Sequence, residues 1–529
     1  MLAHCLVAAV ATAARQPSCA ELTADGCFAC ITKASITSYG CHWCHKDLQC
    51  HAIGSLASPC ATSDDCVSMS HLSTCKDKSA DDGCPASATL PEQVHIALAG
   101  RDDALRVSWT TPKRPTGHPL VSYSRSPDLS VAPKSVAANS SHTYLKGFGW
   151  HHWAELPGLA AGEKYYYRIG DDASGQAGET LTFTAPRRAA DATVALGVFG
   201  DMGYQNSSTR PMEVAVSGLK KAWSASYTYG VLRRLVDTAT IDGVWHLGDI
   251  GYADDAFGHA LGSFTYEAAY NGYMRWLEPI ASRVPYMVTP GNHESECHSP
   301  ACLTGHAAWG LPLSNFTAFN ARWAMPHAES GGTSNMWYSF DVGPLHVVSL
   351  NTETDWPGAG EEHTGDSHTA SLPAGGFGRA GEYLRWLEAD LARAHAARVA
   401  AGRGADGARP WIVAGGHRPF EEIEASHGEL FRRYSVDAYF AGHSHSYRRE
   451  THTFAADNST ILTIVVGGAG CDEMAQAPKP ATVGLGLPSY ATGRYASGVL
   501  RANATSLHWQ LIDSEDGALV LDEVTLVTK

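Results

Sequence analysis

Two hydrophobic rhythms divide most of this chain. In VHIALAG (94–100), ALRVSWTT (104–111), LVSYSR (120–125) and KYYYRIGD (164–171), apolar and polar residues alternate between turn signals. Neighbouring side chains of a strand face opposite ways, so alternation predicts strands with one buried face. Several such strands in succession predict a β-sandwich over 90–187. From residue 192 the texture changes to continuous apolar, β-branched runs: VALGVF (194–199), GVWHL (243–247), VPYMVT (284–289), LHVVSL (345–350), WIVAG (411–415), VDAYFA (436–441) and ILTIVV (461–466). Runs of that kind suit strands buried on both faces. Helical spacing lies between some of them. Within 381–402, Leu384, Leu387 and Leu391 share one face and charges fill the other. Strands alternating with helices predict an α/β domain over 192–527, with its site at the C-terminal ends of the strands.

The start of the chain is set apart by cysteine. Ten of the 14 cysteines fall within 19–84, opening with C-x7-C-x2-C-x10-C-x2-C-x5-C from Cys19 to Cys50 and followed by Cys60, Cys66, Cys75 and Cys84. Two CxxC pairs would suit zinc, but in an exported chain this density predicts a small disulfide-rich module. Export is expected because residues 1–15 read as a signal peptide: an apolar run ending in small residues, although without an N-terminal Lys or Arg. No later run approaches the ~18 apolar residues of a membrane span, and the C-terminus carries no lipid-anchor tail. The expectation is a secreted or vacuolar protein. Asn139, Asn206, Asn315, Asn458 and Asn503 are its glycosylation candidates. Cys297 and Cys302 are expected to form a disulfide, and Cys471 to be a buried thiol.

A formal charge of −15 argues against a nucleic-acid partner, which needs a basic face. It also means that attraction of an anionic substrate must come from local charge. Such a locus is visible. Five short motifs follow the apolar runs in order: GDMG (200–203), GDIGY (248–252), GNHE (291–294), GGH (415–417) and GHSH (442–445). They offer Asp201, Asp249, Tyr252, Asn292, His417, His443 and His445. Two carboxylates, a phenol, an amide and three imidazoles form a ligand set for two adjacent ions, the carboxylates and phenol suiting a hard trivalent ion and the amide and neutral imidazoles a divalent one. The flanking glycines are expected to supply the unusual backbone angles of sharp strand-to-loop turns. Asp249 is the natural bridge. In an extended GHSH segment, His443 and His445 would point the same way and serve one ion each.

This motif series resembles the purple acid phosphatases over about residues 90–527. The likeness extends to a fibronectin-III-like β-sandwich in front and to IVVGGAGCDE and ATSLHWQLID in the C-terminal segment. It implies a two-sheet α/β/β/α sandwich. It also implies Fe(III) on Asp201, Tyr252 and His445, a divalent Zn, Mn or Fe on Asn292, His417 and His443, and Asp249 between them. Tyr252 separates this pattern from calcineurin-type phosphoesterases, which usually open with Asp-x-His. Such a centre would carry about +5 from its ions against about −3 from Asp201, Asp249 and a phenolate, so it would still attract a phosphate dianion after binding hydroxide. The implied activity is acid hydrolysis of phosphate monoesters by that hydroxide, with His293 contacting phosphate or the leaving group. His427 is a second proton-donor candidate, because the adjacent histidines of plant members are missing from HRPFEEIEASHGELF (417–431). Competing readings are a phosphodiesterase or nucleotide or phytate hydrolase on the same scaffold, and a catalytically silent adhesion protein. GCHWCHKDLQC (40–50) resembles the plexin–semaphorin–integrin (PSI) module, which implies an interaction unit. The oligomeric state is left open, a dimer included.

Overall fold

The computed structural model describes residues 18–20, 41–44, 49–52, 66–67, 90–145, 149–173, 177–187, 192–203, 225–253, 266–295, 315–359, 375–401, 409–471 and 490–528. The expected signal peptide, Cys297, Cys302 and Asn206 lie outside those residues. Two units are distinguished, Met1–Ser87 and Ala88–Lys529. In the first, β1 (Cys41–Cys44) pairs antiparallel with both β2 (Gln49–Ala52) and β3 (Cys66–Val67). Cys19 and Cys50 there are disulfide-bonded.

The second unit opens with eight strands: β4 (Glu92–Leu98), β5 (Ala104–Thr111), β6 (Pro119–Ser124), β7 (Lys134–Ala137), β8 (Ser140–His142), β9 (Trp150–Pro157), β10 (Lys164–Asp171) and β11 (Leu181–Thr184). They form two four-stranded sheets, ordered β4-β5-β9-β8 and β11-β10-β6-β7. Alternation holds in β10, whose Tyr165, Tyr167 and Ile169 are buried while Tyr166 and Arg168 are only half so. It fails in β4, buried at every position. The reason is tertiary, since β4 is covered from both sides. Ile96 bridges to Pro285, and the Leu98 amide donates to the Met287 sulfur at 3.3 Å. Buried Arg322 reaches Gln93 at 3.1 Å and Asn271 at 2.8 Å, tying the sandwich to the α/β part.

That α/β part has two sheets. The first is ordered β14-β13-β12-β22-β23-β24, from β12 (Val194–Phe199), β13 (Gly243–Leu247), β14 (Tyr286–Thr289), β22 (Ala496–Ala502), β23 (Ser506–Asp513) and β24 (Val520–Val527). The second is ordered β15-β16-β17-β18-β20-β19-β21, from β15 (Tyr338–Val342), β16 (Leu345–Ser349), β17 (Trp411–Gly415), β18 (Ala438–Ala441), β19 (Tyr447–Thr453), β20 (Thr460–Val466) and β21 (Tyr490–Thr492). All seven apolar runs are strands, and β12, β13, β16, β17, β18 and β20 are buried along nearly their whole length. Large aromatics join the sheets. Trp245 of β13 meets Phe340 and Phe440 edge-on at 6.4 and 6.1 Å. A Cβ on Gly415 would come within 2.4 Å of that indole, so the bare backbone of β17 makes room for it.

The expected helix is α3 (Glu382–Ala401); α1 (Ala225–Asp237) and α2 (Tyr266–Ala281) join it. Among the described residues no helix is long and apolar enough to cross a membrane. The parallel strands β12, β13 and β18 end immediately before their motifs, β14 ends one residue short of GNHE, and β17 runs into the first glycine of GGH.

Candidate metal centre

The turns that follow these strands are unusual at the candidate ligands themselves. Asp201, Asp249, Tyr252 and His443 have φ of +61°, +50°, +47° and +63°. Left-handed backbone at residues other than glycine costs of order 1–3 kcal/mol each and persists only where its surroundings impose it. Here they do. The Asp201 amide donates to the Gly248 carbonyl at 3.2 Å, and the His443 amide to Asp201 Oδ2 at 2.9 Å. The sequence assigned the strain to the glycines. Gly248 does have φ +78°, but Gly291 is extended at φ −119°. Gly291 is needed for space instead: a Cβ there would lie 2.3 Å from Asp249 Oδ1, as one on Gly442 would lie 2.5 Å from Asp201 Oδ2.

The donor atoms fall into two groups. Asp249, His417 and His443 converge within 4.8 Å, and so do Asp201, Asp249 and His445. Asn292 joins the first group, its Oδ1 3.0 Å from His417 Nε2 and 3.1 Å from His443 Nδ1. Tyr252 joins the second, its hydroxyl 2.9 Å from His445 Nε2 and 3.3 Å from both Asp201 Oδ1 and Asp249 Oδ2. Asp249 Oδ2 faces both groups, lying also 3.1 Å from His417 Nε2. Its other oxygen is held by the His293 amide at 3.0 Å. The residues fit a pair of cations. Ligands at right angles about 2.1 Å from an ion stand about 3.0 Å apart, which is the spacing found here. Hydrogen bonding alone would ask one phenolic proton to serve several neighbours.

His443 and His445 do serve different groups, but not through an extended segment. His443 is left-handed, and its Nδ1 faces inward where His445 presents Nε2. His417 directs Nδ1 to the Leu247 carbonyl at 2.8 Å, which leaves Nε2 for the centre.

The cluster lies out of water: Asp201 and His417 are 0% exposed and Asp249 1%. Burial raises the Asp201 carboxyl, with only partial compensation from His417 and His445. For Asp249 burial is outweighed by His417 and His293, which hold it well below its usual range. Burial would lower His417, but the Asp249 and Asp201 carboxylates carry it to about 10. The protein alone thus meets its buried carboxylates with protonated imidazole, the positive charge that a bound cation would replace.

Several supporting residues escaped the sequence reading. Glu294 accepts the amides of Asp249, Ile250 and Gly291 at 2.8, 2.8 and 2.9 Å. Thr352 Oγ1 accepts the His417 and Arg418 amides, both at 3.0 Å, and donates to Glu353, which pairs with Arg418 at 2.8 Å. Residues 351–354 are polar yet fully buried. The only signal was a run of polar residues directly after an apolar strand. His293 stands at the rim, its ring centroid 4.3 Å from that of Tyr252 and its Nε2 3.9 Å from Asp249 Oδ2. His246 is a core residue bonded to the Tyr286 hydroxyl at 2.9 Å.

His427 requires a correction. It is fully buried in a π-helical turn, with its nitrogens on the Tyr383 and Ser426 hydroxyls and its ring on Trp356. Burial lowers it to about 4. Its described contacts are with Tyr383, Ser426, Trp356 and Phe431 and with none of the seven candidate ligands, and the low value favours the neutral imidazole at mildly acidic pH. Helical folding of 420–433 turns it toward the core. Cys471 is a buried thiol packed against Tyr252.

Comparison with known proteins agrees with this geometry. Residues 91–185 match the family model of the purple acid phosphatase N-terminal domain. Residues 195–447 match that of calcineurin-like phosphoesterases, and 461–523 that of the iron/zinc purple acid phosphatase-like C-terminal domain. Mouse acid phosphatase type 7 is 27% identical, over 83% of this chain and 91% of its own. Purple acid phosphatase 22 of Arabidopsis thaliana is also 27% identical, over 83% and 86%. The fold is that of a purple acid phosphatase from yellow lupin seeds, with a TM-score of 0.59 at 19% identity over 84% of this chain and 76% of that one. Three family models in sequence, laid over a ligand set that the fold gathers at five strand ends, show that this chain belongs to the purple acid phosphatase family.

Proposed function

We propose that the protein hydrolyses phosphate monoesters in acid at one ferric and one divalent ion (zinc, manganese or iron). Asp201, Tyr252 and His445 would hold the first, Asn292, His417 and His443 the second, and Asp249 both. As a family member it is a metal-dependent acid phosphatase; the identity of the ions and the substrate class are our reading. The observation that carries it is the division of seven donors into two groups that share one carboxylate oxygen, Asp249 Oδ2. Bound ions supply Lewis acidity and lower the pKa of water. The chain supplies position and protons. The backbone amide of His293 is spent on Asp249, while its ring is 15% exposed and 3.9 Å from Asp249 Oδ2. That is too long for a direct hydrogen bond, and places the imidazole to hold a phosphoryl oxygen or protonate the leaving group.

We assign residues 19–84 to a PSI-like disulfide module, 90–187 to a fibronectin-III-like sandwich and 192–527 to the catalytic domain, on a secreted or vacuolar glycoprotein. Asn139 and Asn458 are exposed and suit glycans. Asn315 and Asn503 are half-buried and use Oδ1 on the backbone amides of Gly375 and of Thr505 and Ser506. The test is a visible spectrum with elemental analysis of the purified protein. A charge-transfer band lost in Tyr252→Phe, with two metals including iron per chain, is expected. Two metals without iron or colour would refute the ferric assignment.

A further inference from the structure

We propose that Glu294 is the positioning residue for the bridging carboxylate, and thereby sets whether the centre retains its second ion. The inference rests on the binuclear reading above. Glu294 is 4% exposed. Its Oε2 accepts the Asp249 and Gly291 amides at 2.8 and 2.9 Å, and its Oε1 accepts the Ile250 amide at 2.8 Å. Asp249 and Ile250 lie just past the end of β13, where no sheet partner takes their amides. One side chain therefore satisfies three buried donors drawn from two motifs.

The grip is reciprocal. Glu294 holds the backbone of Asp249 at φ +50°, while the neighbouring His293 amide holds Asp249 Oδ1 at 3.0 Å. With backbone and one oxygen fixed, the remaining freedom of the aspartate is small. Oδ2 is left 3.1 Å from His417 Nε2 and 3.3 Å from the Tyr252 hydroxyl, between the two donor groups. Remove the clasp, and three buried amides lose their acceptor. Asp249 is then able to relax to extended φ, which turns its Cα–Cβ bond away from the bridge. Among the ligands, Asp249 alone belongs to both groups. Its displacement weakens the sharing of two ions, and with it the retention of the ion that binds second.

The chemistry of the side chain is specific. Two carboxylate oxygens with several lone pairs can take three amides. Glutamine offers one oxygen and sets an NH2 against at least one amide. Aspartate keeps both carboxyl oxygens but is one methylene short. Glu294 reaches no reacting atom in this arrangement, so its effect passes through Asp249.

The experiment strips metal from the full chain with a chelator and retitrates with Zn(II), reading bound zinc per chain and affinity by calorimetry. His427→Ala serves as a control for general destabilisation. Wild type should take up two zinc ions. In Glu294→Gln the second should bind about 10–100-fold more weakly, the range expected for a lost ligand-orienting partner. Glu294→Asp should fall between the two, and His427→Ala should match wild type. With the enzyme loaded, kcat of Glu294→Gln should drop more than KM changes. Two zinc ions bound to Glu294→Gln at wild-type affinity would overturn the inference and leave the binuclear reading standing. Wild type that holds fewer than two metal ions of any kind would overturn both. If Glu294→Gln fails to fold, the same titration of Glu294→Asp decides.

Discussion

Gly291→Ala tests whether close approach, rather than ligand identity alone, builds this centre. The new Cβ would lie 2.3 Å from Asp249 Oδ1 and 2.4 Å from Asp249 N. Neither atom yields easily, since the oxygen holds the His293 amide and the nitrogen donates to Glu294. Ordinary contact begins near 3.4 Å, so the GNHE turn and Asp249 must separate by about 1 Å. Misplacement on that scale costs about 100-fold in rate, or about 2.7 kcal/mol of barrier. Backbone φ is not the cause, because −119° suits alanine. The assay is steady-state hydrolysis of 4-nitrophenyl phosphate with bound metal measured in parallel and folding checked by circular dichroism. We expect kcat/KM to fall about 100-fold in a folded protein. Activity within threefold of wild type with two ions bound would refute the packing argument.

Three further outcomes are expected. His427→Ala should lower stability by about 2–4 kcal/mol through its cavity and the stranded Tyr383 hydroxyl, and leave kcat unchanged, as thermal melts and kinetics will show. His346 sits between Asp341 at 2.7 Å and Asp390 at 2.9 Å; burial lowers it, but the two carboxylates carry it to about 9. A folded pKa above the unfolded 6.5 stabilises fully below pH 6.5 and is lost as pH rises through about 9, so His346→Gln should flatten the alkaline limb by on the order of 3 kcal/mol in denaturant titrations. On the acid side, burial lowers His95 to about 4, His152 to about 3 and His151 well below its usual value. These groups favour the fold above pH 6.5. As pH falls from there toward 4, stability should decline by roughly 1.4 kcal/mol per pH unit for each, and an acid-insensitive melting temperature would contradict this.

The candidate donors were legible in the sequence because each stands at a fixed offset from an apolar strand, and a strand end is a local event. The same locality made ALRVSWTT a strand over its full length and placed the helix of 382–401 within one residue at each end. Burial patterns were less secure: β4 carries an alternating sequence yet is buried throughout, because the α/β part covers its second face. His427 shows the limit. Proximity in sequence to His417 suggested a role, but a helical stretch turned the side chain into the core.

What the sequence determined by itself is the inventory of donors, the strands that carry them and the family. The tertiary structure decided their grouping. Strand order depends on pairings such as Leu196 with Leu500, across about 300 residues, which no local pattern encodes. Only that order sets three motifs on one sheet against two on the other. It gives Asp249 Oδ2 to both groups, holds four of the seven donor residues in left-handed backbone and lets Glu294 close over the amides of the neighbouring motif. The physical reason is that donor chemistry belongs to single residues, whereas distances near 3 Å between residues hundreds of positions apart exist only once the sheets have packed.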